Sequence, residues 1–232
     1  MWVPTTETPG PDSDMDVHSL QRLLRAAALG TALLAPTALA ATLQIQLSDS
    51  RSRGAQGIGV VVESASPEQP PPSPPKAVID QHHEQFVPRV LIVQRGTEVS
   101  FPNTDRVQHH VYSFSQTKQF ELPLYRGNEH PPVMFDHAGV AVLGCNIHDH
   151  MVGYVLVVDS SHFGFTDAAG RLEINGLPNE NVRVTLWHPD LGVEYGAITR
   201  TIDLASGTNA VKIVLAQPWQ AKAETSLSWN DY

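Results

Sequence analysis

A chain of 232 residues with a net charge of −9 is a poor ligand for nucleic acid, and no basic run offsets the imbalance. The length allows one or two small domains with a sizeable core. Eighteen prolines and sixteen glycines favour a turn-rich β protein, and the single cysteine excludes an internal disulfide or a c-type haem.

At the N-terminus, Arg22 and Arg25 precede an apolar run at 26–35, and Ala38-Leu39-Ala40 forms a small-x-small cleavage pattern. This predicts a secretory signal peptide over 1–40, with an apolar run too short to span a bilayer. The competing reading is an amphipathic helix of the mature domain. Met15 is an alternative start, because residues 1–14 add nothing to the signal. Residues 1–40 carry a net −2, so the mature chain holds −7 and is expected to contain no transmembrane segment. An exported protein with one cysteine must protect its thiol, either in a metal bond or by burial as a small, inert hydrophobe.

Residues 43–47 alternate apolar and polar with period two, and 58–62 read as a second strand. The proline-rich stretch 66–75 predicts an extended connection that stays out of sheet interiors. Which sheet the strands of 41–65 join is left open. Beyond the connection, strands are expected at 78–80, 86–93, 97–101, 109–114, 133–135, 139–143 and 153–158. Short strands at this spacing, with no long helical period, predict a β-sandwich over 76–159. Residues 165–174 place an Asp-x-x-Gly turn between two strands. Strands at 182–188 and 210–215 complete a small sandwich over 160–216, and the tail 217–232 is expected to be loosely ordered. His82, His83 and Glu84 read as a solvated loop, with a second metal site the lesser alternative.

The chemistry is concentrated in Gly144-Cys145-Asn146-Ile147-His148-Asp149-His150-Met151. Cys145, His148 and Met151 offer a thiolate, an imidazole and a thioether, spaced three residues apart. Soft sulfur with imidazole selects copper, and His₂Cys with a weak axial Met describes a blue-copper electron-transfer centre. The missing imidazole must come from elsewhere. A structural zinc site is the rival reading, although zinc normally takes more thiolates or a third strong ligand. In the pair His109-His110 only one side chain can face inward from a strand.

The run from Phe101-Pro102-Asn103 to His109-His110-Val111 resembles the plastocyanin–amicyanin group of cupredoxins, where an Asn, five residues and the first copper His follow one another. The spacing Cys145-x-x-His148-x-x-Met151 resembles the amicyanin ligand loop. Across 42–216 the chain resembles a subgroup of exported cupredoxins labelled methylamine utilization proteins. Its marks here are Phe101-Pro102-Asn103, His109-His110-Val111-Tyr112-Ser113-Phe114, Leu143-Gly144-Cys145-Asn146-Ile147-His148 and Trp187-His188-Pro189. The resemblance implies an all-β chain: a Greek-key cupredoxin sandwich followed by a small carboxypeptidase-regulatory-like β-sandwich.

It further implies one type-1 copper held by His109 Nδ1, Cys145 Sγ and His148 Nδ1, with Met151 Sδ as the long axial ligand. His150 competes with Met151 for that fourth position. His110 stands where many cupredoxins carry an Asn that ties the two ligand loops together, so His110, Asn103 and His150 are expected to support the ligands. His137 and His188 read as packing or turn residues.

The function expected is a non-enzymatic periplasmic carrier of single electrons between transient redox partner proteins. The alternative is a copper trafficking or sensing module that never cycles. A Cys145–His148 nucleophilic enzyme is a third reading, and it leaves Met151 and the His109 motif without a role.

Overall fold

Alternation of apolar and polar side chains accounts for most strands in the computed structural model, which describes residues 40–65, 68 and 73–220. The predicted signal peptide, most of the proline-rich connection and the end of the tail lie outside the described residues. The described chain is all-β apart from one 3₁₀ turn at Pro189–Leu191. In order come β1 (Ala41–Ser48), β2 (Gly59–Ser64), β3 (Lys76–Val78), β4 (Asp80–His82), β5 (Gln85–Val87), β6 (Val90–Gln94), β7 (Thr97–Ser100), β8 (His109–Ser115) and β9 (Lys118–Tyr125). They are followed by β10 (Val133–Phe135), β11 (Gly139–Gly144), β12 (Val152–Val158), β13 (Phe163–Phe165), β14 (Arg171–Leu177), β15 (Asn181–Trp187), β16 (Ile198–Asp203) and β17 (Gly207–Val214). No helix among the described residues is long and apolar enough to cross a membrane.

A five-stranded sheet in the order β6-β12-β11-β8-β9, a three-stranded sheet β10-β7-β3 and the hairpin β4-β5 surround one apolar core. The run 152–158 is apolar almost throughout because β12 is covered on both faces. Val155 and Val157 enter the core with Phe86, Phe135 and Leu143, while Leu156 and Val158 pack beside Val61, Ile92 and Trp187. Strands buried on both sides lose period-two alternation for this reason. Each such side chain contributes roughly 1.5–3 kcal/mol by leaving water.

The strands of 41–64 join the other group of sheets. β1 lies between β14 (antiparallel) and β17 (parallel), and β2 lies between β13 and β15. Ala41, Leu43, Ile45 and Leu47 on the inner face of β1 meet Val60, Val62, Val184, Leu186 and Ile213 in a second core. The Asp-x-x-Gly turn forms as expected: Asp167 Oδ1 accepts the N–H groups of Ala169 and Arg171, and Gly170 takes a φ of +75°. A Cβ at Gly170 would fall 2.0 Å from the Leu47 carbonyl oxygen, so only glycine fits.

Several expectations require correction. The strand expected at 78–80 is the end of β3 and the start of β4, with Ile79 between them, and the strands of 160–216 share both their sheets with β1 and β2. The segment 86–93 is two strands, β5 and β6, interrupted at Pro88, whose nitrogen has no hydrogen to donate to a ladder. Strands β9 and β16 were not expected at all. The start of the tail is held firmly. Trp219 is buried, its indole N–H donates to the Gln56 carbonyl and its backbone N–H to Asp49 Oδ2.

Asp49 also accepts the Arg51 and Arg53 N–H groups and the Arg53 guanidinium. Burial opposes its ionisation, yet the Arg53 contacts and the Trp219 and Arg51 N–H groups outweigh it and hold its carboxyl well below the usual range. A depressed folded-state pKa stabilises above the ordinary value of 3.8 and loses that contribution as pH falls below it. Asp49→Asn is therefore expected to lower the thermal midpoint at pH 7, with the gap to wild type closing below about pH 4. A gap independent of pH would show that the charge is immaterial.

Candidate metal centre

Strand pairing brings the two separated motifs together. β11 and β12 form an antiparallel hairpin closed by the pair Gly144↔Val152, so residues 145–151 are its end loop. β8 lies beside β11 through Gly144↔Tyr112, which carries the start of β8 towards that loop. His109, the first residue of β8, and Cys145, the first of the loop, are both buried.

Three ligand-type atoms converge there. Cys145 Sγ lies 3.8 Å from His109 Nδ1 and 3.8 Å from His148 Nδ1, and the two nitrogens are 3.2 Å apart. A point equidistant from atoms so spaced lies about 2.1 Å from each, the circumradius of that triangle, which suits metal–nitrogen bonds of about 2.0–2.1 Å and a metal–sulfur bond of about 2.3 Å. Among the described residues this is the one cluster of three such groups.

The donor chemistry agrees. His109 Nε2 lies 3.0 Å from Asp105 Oδ2, and an ionised carboxylate only accepts, so Nε2 carries the proton and Nδ1 presents a lone pair to the cluster. With His148 in its Nε2–H tautomer, two imidazole lone pairs and the sulfur face one another, an arrangement that a cation bridges.

The buried imidazole is held from outside the cluster. Asp105 Oδ2 also accepts the Glu84 N–H at 2.8 Å, and Oδ1 accepts the Arg106 N–H. Burial works against ionisation of Asp105, yet the Glu84 N–H, the His109 ring and the Arg106 N–H outweigh it and hold its carboxyl at about 2. Asn103 is buried; its amide donates to the carbonyls of Val107 and Tyr125, and its Oδ1 accepts the Asp105 N–H. It shapes the 103–109 loop and reaches β9 at Tyr125, the register partner of His109. Burial, with smaller contributions from Asp80 and Cys145, pushes the Tyr125 hydroxyl up to about 12, so it stays protonated and donates to the Phe101 carbonyl. On the loop, the Met151 N–H donates to the His148 carbonyl.

Met151 is almost wholly buried in the same core as Cys145, whereas the His150 side chain is 65% exposed and its Nε2 lies 3.5 Å from Glu84 Oε2. The His110 ring lies beside β9, where Nε2 is 3.1 Å from Glu121 Oε1 without the geometry of a hydrogen bond. His82, His83 and Glu84, expected as a solvated loop, are the tip of the β4-β5 hairpin. There Glu84 Oε1 comes within 3.8 Å of His148 Nε2. Asp105 and Glu84 were missed by sequence reasoning. The four-residue interval from Asp105 to His109 was the available signal for the first.

No family model matches the chain, and no curated protein matches it. Solved cupredoxin structures are similar to parts of it. A purple cupredoxin from Nitrosopumilus maritimus is 26% identical over 35% of this chain and 99% of its own, with a TM-score of 0.32. An amicyanin mutant in the reduced state is 23% identical over 43% of this chain and 98% of its own, with a TM-score of 0.32. A pseudoazurin from Sinorhizobium meliltoi is 20% identical over 37% and 76%, with a TM-score of 0.29.

Proposed function

We propose that this chain binds one copper ion through His109 Nδ1, Cys145 Sγ, His148 Nδ1 and, as a weak fourth ligand, Met151, and that it passes single electrons between partner proteins in the periplasm. The observation that carries this reading is the triangle of one thiol and two imidazole nitrogens whose centre lies at bonding distance from each. Copper held by a thiolate, two neutral imidazoles and a thioether supplies one-electron exchange with little rearrangement.

The residues divide the remaining work. Asp105 keeps the buried imidazole in the tautomer that offers Nδ1. The apolar wall of Phe86, Val111, Leu143 and Met151 keeps water from the sulfur side. His148 is 19% exposed and stands beside the half-exposed Ile147, which gives a partner an approach at one edge of the cluster. Small, short-lived interfaces suit such encounters. The −9 charge of the whole chain falls to −7 once 1–40 is removed, still consistent with a carrier that stays apart from its own copies. Export follows from the leader-like sequence of 1–40, and the label methylamine utilization names a resemblance rather than a reaction.

Copper-loaded protein is expected to show an intense visible thiolate-to-copper charge-transfer band and a reversible one-electron wave. A colourless Cu(II) form overturns the type-1 site. A coloured protein without a redox wave overturns the carrier role and leaves trafficking.

A further inference from the structure

Among the described residues only three that are not glycine take positive φ: Ser52, His83 at 51° and Glu84 at 57°. The last two are consecutive and form the two-residue tip between β4 and β5, closed by the pair His82↔Gln85. Such a tip needs left-handed backbone at both positions, and Asn-Gly is the sequence that adopts it most easily. A histidine and a glutamate are strained there, and strain of this kind persists where the surroundings hold it.

The surroundings do so on the cluster side. The Glu84 N–H donates to Asp105 Oδ2, the same oxygen that accepts His109 Nε2. Nearby, Asp105 N–H donates to the Gln81 carbonyl, and His82 Nδ1 lies 3.3 Å from Thr104 Oγ1. The tip is thus fastened to the loop that carries the buried imidazole. Its carboxylate lies against the exposed edge of the ligand loop: Oε2 is 3.5 Å from His150 Nε2, and Oε1 is 3.8 Å from His148 Nε2, an ion-pair distance rather than a hydrogen bond.

We propose that Glu84 is a positioning residue for His148, a carboxylate held by a strained hairpin tip against the outer imidazole, fixing its ring and adding negative charge beside the cluster. This rests on the metal reading above. Each imidazole then has a carboxylate beside it, Asp105 hydrogen-bonded to His109 and Glu84 3.8 Å from His148, and the two acids are linked because the Glu84 N–H donates to the Asp105 carboxylate. A side chain that served only to close the hairpin would be better replaced by glycine.

The test compares copper-loaded wild type, Glu84→Gln and Glu84→Gly by thermal unfolding, optical spectrum, voltammetry and ¹⁵N NMR of the His148 ring. A negative charge favours the oxidised ion, so both variants are expected to raise the reduction potential. The expected size is about three- to tenfold in the reduced-to-oxidised ratio at fixed poise, tenfold being 59 mV for one electron. Both are also expected to speed exchange of the His148 Nε2 proton. Glu84→Gly is expected to unfold at a higher temperature than wild type, because glycine accepts positive φ without strain. A charge-transfer band with potentials and ring exchange equal to wild type overturns this proposal alone. A wild-type protein without the band overturns the metal reading and this proposal with it.

Discussion

Replacing Cys145 with alanine is expected to abolish both the visible charge-transfer band and the stabilisation that copper confers. Cys145 is 2% exposed and packed with Val111, Leu143 and Met151, so the metal-free variant loses little more than one buried sulfur. A void of that size costs about 1 kcal/mol. The metal-dependent effect is larger. An ion that binds only the folded state at a free concentration 1,000 times its dissociation constant stabilises by about 4.1 kcal/mol. The variant retains two imidazoles and no thiolate, and its affinity should fall by more than the roughly 10–100-fold that follows from removing a ligand's hydrogen-bond partner. Thermal unfolding with and without copper measures the difference. An equal copper-induced rise in the two proteins would mean that the ion binds elsewhere, among the other histidines.

The ligand loop was legible because its chemistry is local: three donors within seven residues and one cysteine leave few alternatives. His109 needed the resemblance, since its neighbour His110 offers the same imidazole. The structure separates them by burying Nδ1 of one at the cluster and turning the other to Glu121. Strand β9 escaped notice because it contains Pro123, and a proline reads against a strand. It is tolerated there because β9 is the edge of its sheet. Strand β16 is also an edge, and Ile198-Thr-Arg-Thr-Ile-Asp203 carries too few apolar side chains to show a period. Glu84 was illegible for a different reason. Nothing in His82-His83-Glu84 states that β4-β5 folds back against a loop twenty residues away, and Asn-Gly would have been the recognisable turn.

Asp105 gives the second large expectation, because one of its oxygens joins the two halves of the ligand environment. Oδ2 accepts His109 Nε2 at 3.0 Å and the Glu84 N–H at 2.8 Å. In Asp105→Ala, the buried Nε2 has no carboxylate to hold its proton, so the tautomer that presents Nδ1 to the cluster is no longer enforced. Leaving a buried donor unpaired costs about 1–3 kcal/mol in the metal-free fold. Copper affinity is expected to fall about 10–100-fold. The sulfur is untouched, so the charge-transfer band should persist once the site is saturated, and that separates this variant from Cys145→Ala. Asp105→Asn keeps an acceptor without the charge and should fall between wild type and alanine. Chelator competition followed at the charge-transfer band measures all three. Equal affinities would mean that His109 keeps its orientation through packing alone, with the 103–109 loop held by Asn103 and its contacts to Val107 and Tyr125.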